Sequence, residues 1–218
     1  MKKILPFSLI GLGLIFLFLA YYPIVKDEII YQFNQIVGIK YVISNSNNQI
    51  PDRNDSIFSS FLGDSVNILD PVNTEFAILI ESIGVNAPVI KDVPVSNEKA
   101  YNKALKFGVA HSLKSPYPSE DPGNVYLFAH ATTNFWDLGK YATVFNLLRK
   151  LESRDRINVF FEGRKFEYEV IGKEVLPGWS TYPLTRPVIE PILTLQTCDP
   201  PGTTLNRLVV TARLVSVD

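Results

Sequence analysis

The pattern of apolar and polar positions divides the chain into segments of different character. Residues 4–25 form an uncharged run dominated by Leu, Ile and Phe, preceded by Lys2 and Lys3. Across 27–43, Ile29, Ile30, Phe33, Ile36 and Val37 recur at helical spacing. That spacing predicts a helix leading out of the first run or docking on the downstream domain. Residues 44–55 are polar and rich in breakers, which reads as a linker. Residues 56–70 fit neither period.

From about residue 71 the pattern is mostly that of short strands. Residues 75–82 and 85–90 form a pair around Gly84. A short helix is expected over 97–106 and a brief strand over 107–110. Residues 115–123 hold three prolines and a glycine and read as a loop. Residues 124–130 are an apolar strand. The best helix of this region is expected over 134–150, with Leu138, Tyr141, Phe145 and Leu148 on one face. Residues 156–161 and 165–175 flank a turn at Gly163, and 177–187 form a second loop. Two last strands complete the chain, one ending at Cys198 and one opening at Arg207. Many short strands with few helices predict an all-β sandwich or small closed barrel. The expected domains are an anchor over 1–25, a helix and linker over 26–70, and a catalytic-type domain over 71–218.

The first run sets the expected compartment. Twenty-two helical residues reach roughly 33 Å, enough for a bilayer core of about 30 Å. A cleaved signal peptide needs a shorter apolar region and a small-x-small cleavage site. The run ends instead at Leu19-Ala20-Tyr21-Tyr22-Pro23. The expectation is an N-terminal transmembrane helix, single-pass in the cytoplasmic membrane. Lys2 and Lys3 place the N-terminus inside and the bulk of the chain outside.

A net charge of -1 gives no electrostatic case for nucleic acid. The single cysteine excludes an intrachain disulfide and a multi-cysteine zinc site. Glu120 and Asp121 lack the further carboxylates a metal would need, so neither metal nor cofactor is expected.

The candidate chemistry centres on Cys198. A cysteine at a strand end is either a nucleophile or a small buried hydrophobe. Arg207, nine residues on, suits an oxyanion or a peptide carbonyl beside it. A thiol nucleophile needs a proton-transfer partner, and histidine fits best. The chain has two, His111 and His130. His130 closes the longer apolar strand and is the better candidate. Trp136 and Trp179 read as packing residues, with groove lining as the alternative.

Thr194-Leu195-Gln196-Thr197-Cys198 with Arg207 on the next strand resembles the signature of the sortases, membrane-anchored bacterial cysteine transpeptidases. His130 matches the family's catalytic histidine. Pro122-Gly123-Asn124 and Asn86-Ala87-Pro88-Val89-Ile90 also resemble the family, and the similarity spans roughly residues 72–216. The resemblance implies a closed eight-stranded β-barrel with short helices, in a compact form without a long inserted helix before the Cys198 strand. It implies catalysis by His130, Cys198 and Arg207 with no cofactor. The substrate would be a surface protein with a C-terminal sorting motif of the Leu-Pro-x-Thr-Gly type. The acceptor would be an amine of a cell-wall peptide or of another surface protein. His111, Leu195 and Thr197 are its candidate substrate contacts. Two positions depart from the pattern. Ala129 stands where the family has glycine before the histidine, and Arg154-Asp155 where it has Gly-Asp. An inactive binding barrel and a purely hydrolytic enzyme are the alternatives.

Overall fold

The structure is a computed structural model, which describes residues 4–43, 66–131, 140, 141 and 143–218. Side chains of residues 4–9, 19–21, 23 and 24 lie outside the description. The opening helix, α1, runs Ile4–Val37. Strands β1 (Lys40–Ile43) and β2 (Val66–Leu69) pair in parallel as a small separate sheet. Ile43 and Leu69 pack on the outer side of the barrel wall, against Ala77, Leu79 and Phe160. The linker expected over 44–55 lies outside the described residues.

The transmembrane anchor expected at the N-terminus is overturned. Among the described residues, no helix is long and apolar enough to cross a membrane. Beyond the apolar run the same helix carries Lys26, Asp27 and Glu28 and lies on the protein. Lys150 pairs with Glu28 at 2.5 Å and sits over the Tyr31 ring. The membrane contact, the single-pass topology and the cytoplasmic-membrane localisation were all inferred from that anchor and are corrected with it.

Eight strands close a barrel: β3 (Phe76–Ile80), β4 (Val85–Val93), β5 (Val109–Ser112), β6 (Gly123–Phe128), β7 (Arg156–Phe161), β8 (Arg164–Pro177), β9 (Pro191–Asp199) and β10 (Asn206–Val217). Their order around the wall is β10-β8-β7-β3-β4-β5-β6-β9, and β9 pairs with β10 to close it. The β4–β5 and β6–β9 pairs are parallel and the other six antiparallel. A parallel pair needs a crossover. Helix α2 (Glu98–Leu105) supplies the first, capped by the Asn97 side chain, which accepts from the Ala100 N–H at 3.1 Å. The second crossover carries β7, β8 and a one-turn helix, α3 (Tyr182–Thr185).

Period-two alternation decides what each strand contributes. Leu193 and Leu195 on β9, Val125 and Leu127 on β6, and Leu208, Val210 and Ala212 on β10 enter the core. The intervening residues form the outer face: Asn124, Tyr126 and Phe128; Thr194, Gln196 and Cys198; Arg207, Val209 and Thr211.

The helix expected over 134–150 is not formed where the chain is described. Residues 143–147 are turns and Leu148–Lys150 a single 3-10 turn. Residues 132–139 and 142, with Trp136 and Leu138, lie outside the described residues. Phe145, Leu148 and Leu151 are fully buried, so the apolar spacing reflects core packing without a regular helix.

Candidate active site

Cys198 and Arg207 are directly opposite each other in the β9–β10 ladder. Opposed residues of an antiparallel pair share a face. The Arg207 Nη1 lies 3.4 Å from the Cys198 Sγ and 3.3 Å from the Asn206 carbonyl oxygen. The thiol is half-buried. Burial pushes its pKa up, and the Arg207 charge works against that rise.

His130 lies two residues beyond β6, and β9 holds that end in place. The β6–β9 pairing runs to Phe128 opposite Gln196. Beyond it the Ala129 N–H donates to the Gln196 carbonyl at 3.1 Å. The buried Thr197 hydroxyl donates to the Ala129 carbonyl at 2.9 Å. Ala129 has no left-handed backbone, so alanine is sterically acceptable in place of the family's glycine. From α2, the Tyr101 ring lies 6.5 Å from the His130 ring and 6.3 Å from Phe128. The Tyr101 hydroxyl is raised in pKa by burial, by Glu98 and by Cys198, with Arg207 opposing.

Cys198, Arg207 and His130 line one groove of about 540 Å³. Its walls include Tyr101 and Leu105 of α2, Trp179 and Leu184 of the β8–β9 loop, and Thr203 of the β9–β10 loop. A larger cavity of about 830 Å³ lies between α1 and the barrel, and neither a histidine nor the cysteine lines it. Among the described residues, no three His, Cys, Asp or Glu side chains gather as a metal site. Glu120 pairs with Arg164 at 3.2 Å.

The other residues singled out in the sequence fall into different places. Thr197 borders the groove, and its hydroxyl is taken up by Ala129. Leu195 is fully buried in the barrel core. His111 is also fully buried and does not line the groove. Its Nε2 is within hydrogen-bonding distance of the Pro116 carbonyl (3.1 Å) and the Ser115 hydroxyl (2.9 Å), and Tyr117 stacks on its ring. Trp179 stands 83% exposed at the groove edge. Sequence reasoning missed Tyr101 and Arg186. The spacing of Tyr101 and Leu105, one helical turn apart, was the available signal for the first. No local pattern marks the second.

The sortase-domain family matches residues 78–215. This chain belongs to the sortase family. Solved structures agree on the fold. Sortase C-1 from Actinomyces oris is 27% identical, with a TM-score of 0.54, covering 66% of this chain and 76% of that one. A Clostridium perfringens sortase D5 transpeptidase is 24% identical, with a TM-score of 0.53, over 66% and 80%. Listeria monocytogenes sortase A is 20% identical, with a TM-score of 0.52, over 66% and 89%. No curated protein matches the chain. The segment between β8 and β9 holds only α3, so the domain is of the compact kind.

Proposed function

We propose that this protein is a cysteine transpeptidase acting on a C-terminal sorting motif of the Leu-Pro-x-Thr-Gly type. The observation that carries the reading is the Arg207 guanidinium on the Cys198 thiol in a groove that His130 also lines. Membership of the sortase family supports the reaction class.

The groups present supply each step. His130 takes the thiol proton as Cys198 Sγ attacks the scissile carbonyl carbon. Arg207 donates hydrogen bonds to the oxygen that becomes negative. The carbon–nitrogen bond breaks, and the His130 imidazolium gives its proton to the departing amine. A thioester on Cys198 remains. An incoming amine attacks it, His130 accepts the amine proton, and the Cys198 sulfur leaves. The products are a new amide and the starting thiol–imidazole pair. The acceptor is an amine of a cell-wall peptide or of another surface protein.

The test is purified full-length protein with a library of sorting-type pentapeptides, with and without an added amine. Cleavage joined to amine-dependent ligation is the expected result. Release of free acid alone, undiminished by amine, points to a hydrolase. Full turnover by Cys198→Ala overturns the covalent mechanism.

A further inference from the structure

The loop between β8 and β9, residues 178–190, supplies one wall of the Cys198 groove through Trp179, Thr181 and Leu184. A segment of this kind is ordinarily mobile, because few backbone groups tie it down. Here it is tied at both ends. At the first end the Gly178 N–H donates to the Leu205 carbonyl at 2.8 Å. The approach is so close that a Cβ on Gly178 would lie 2.2 Å from the Thr204 carbonyl oxygen.

The second end is held by a hydrogen-bond circuit that starts and finishes in the loop. Arg186 Nη2 donates to the Thr194 hydroxyl on β9 and to the Thr211 hydroxyl on β10, both at 2.8 Å. Thr194 in turn donates to the Asn124 Oδ1 on β6 at 2.6 Å. The Asn124 amide then donates to the Pro183 carbonyl at 2.8 Å, three residues before Arg186. Thr194 is fully buried and Asn124 nearly so. The Arg186 side chain is 13% exposed, and its Nη1 also stands 3.8 Å from the Glu174 carboxylate on β8. Three barrel strands are thus joined to the loop by groups that, once buried, cannot turn to water without cost. The same outer face that carries Thr194 on β9 carries Cys198 four residues on.

We infer that Arg186 is a positioning residue that holds the β8–β9 loop as a pre-formed groove wall, so that a peptide meets Leu184 and Trp179 already in place. Its consequence for catalysis rests on the transpeptidase reading; the loop anchoring itself does not. A pre-formed wall removes the ordering cost from peptide binding. Losing the anchor raises KM and leaves the reacting groups untouched, because Arg186 contacts neither Cys198 nor His130 among the contacts described.

The experiment compares wild type, Arg186→Lys and Thr211→Val. Lysine keeps the charge but not the planar two-sided donor. Valine keeps the shape of Thr211 and removes one acceptor from the barrel side. Hydrogen exchange is followed at the loop amides of Leu184, Thr185 and Arg186 and at strands β9 and β10. Faster loop exchange in both variants with unchanged strand exchange is expected. Loop exchange equal to wild type overturns the proposal, and so does an equal rise in loop and strands, which marks general destabilisation. With a cleaved sorting peptide in hand, KM is expected to rise roughly tenfold, the equivalent of about one to two net hydrogen bonds. Alkylation of Cys198 by iodoacetamide should stay at the wild-type rate. A fall in kcat at constant KM overturns the positioning role. A wild type inactive on every peptide fails the transpeptidase reading alone, since the exchange result still decides the loop.

Discussion

The Thr197 hydroxyl donates to the carbonyl of Ala129, 68 residues away in sequence, at 2.9 Å. This bond joins the residue before the cysteine to the residue before the histidine. It gives the threonine beside Cys198 a structural task, aligning two strand ends that contribute to one groove. Thr197→Val keeps the branched shape and leaves the buried Ala129 carbonyl without this donor. The expected cost is about 1–3 kcal/mol of stability. Peptide cleavage should fall while barrel secondary structure persists. Denaturant titration and cleavage assays on the same sample check both parts.

Arg207 has two separable effects on Cys198. On the proposed mechanism Arg207 donates to the oxyanion, and its loss in Arg207→Ala should slow acylation by roughly 10²–10³-fold. As a charge, it opposes the upward push of burial on the thiol. The pH at which Cys198 alkylation reaches half its maximum rate should therefore move higher in the variant. Cys198 is the only thiol, so iodoacetamide labelling read by mass spectrometry reports it without interference. A midpoint that moves lower would contradict the electrostatic part.

On the proposed mechanism His130→Ala removes the proton-transfer group and should cost roughly 10²–10⁴-fold in turnover. Single-turnover kinetics with a good leaving group separate its two duties. A thioester substrate analogue needs no protonation of a leaving amine, so the defect should shrink with it. An equal defect on amide and thioester would assign His130 to thiol activation alone.

His111 predicts the acid side of the stability profile. Burial lowers its pKa, while the Pro116 carbonyl and Asp92 work in the other direction. A histidine with a depressed native pKa binds fewer protons folded than unfolded. Stability is then full above the ordinary histidine value of about 6.5 and declines as pH falls below it toward the native pKa. Urea midpoints measured from pH 8 to pH 5 should show this decline, and His111→Gln should flatten it. The facing ionisable groups are Asp92, whose carboxylate is 3.6 Å from Nδ1, Lys91, and Tyr117, which stacks on the ring.

Arg154 occupies a left-handed conformation, φ 78°. Its N–H donates to the Val170 carbonyl at 2.9 Å, so the turn is held by the neighbouring strand. The family's glycine at this position suits that conformation, and an arginine there costs about 1–2 kcal/mol. Arg154→Gly should stabilise the fold by a net of about 0.5–1 kcal/mol, after the greater freedom of glycine in the unfolded chain is counted. Activity should not change. Calorimetry and a cleavage assay test the pair of outcomes.

Much of the site was legible because it is local. Cys198 and Arg207 sit on consecutive strands of one hairpin, where alternation alone puts both on the outer face. The apolar stretches around them read as strands; many short strands with few helices leave a sandwich or a small closed barrel open, and the closed eight-stranded barrel is what the resemblance to the sortases implies. The helix expected over 134–150 failed for a physical reason. Where the chain is described, its spacing of Phe145 and Leu148 is a burial pattern, and turns satisfy that burial without a regular helix. The anchor reading is overturned because, among the described residues, no helix is long and apolar enough to cross a membrane. The described part of α1 goes on into a charged segment that packs against Lys150 on the protein.

The chain by itself determined the chemical inventory: one thiol, a guanidinium nine residues beyond it, and two histidines. It also determined the strand character that presents the first two together, since period-two geometry is a property of neighbouring residues. The sequence already favoured His130 over His111, and tertiary structure supplies the geometry that separates them. Parallel pairing of β6 with β9 brings His130 to the Cys198 end, whereas β5 holds His111 in a sealed pocket under Tyr117. Tertiary structure alone recruited Tyr101 and turned Arg186 into an anchor between three strands. These assignments depend on which strands become neighbours when the barrel closes. Closure is set by the packing of the whole core and the register of eight strands, and no window of sequence contains it.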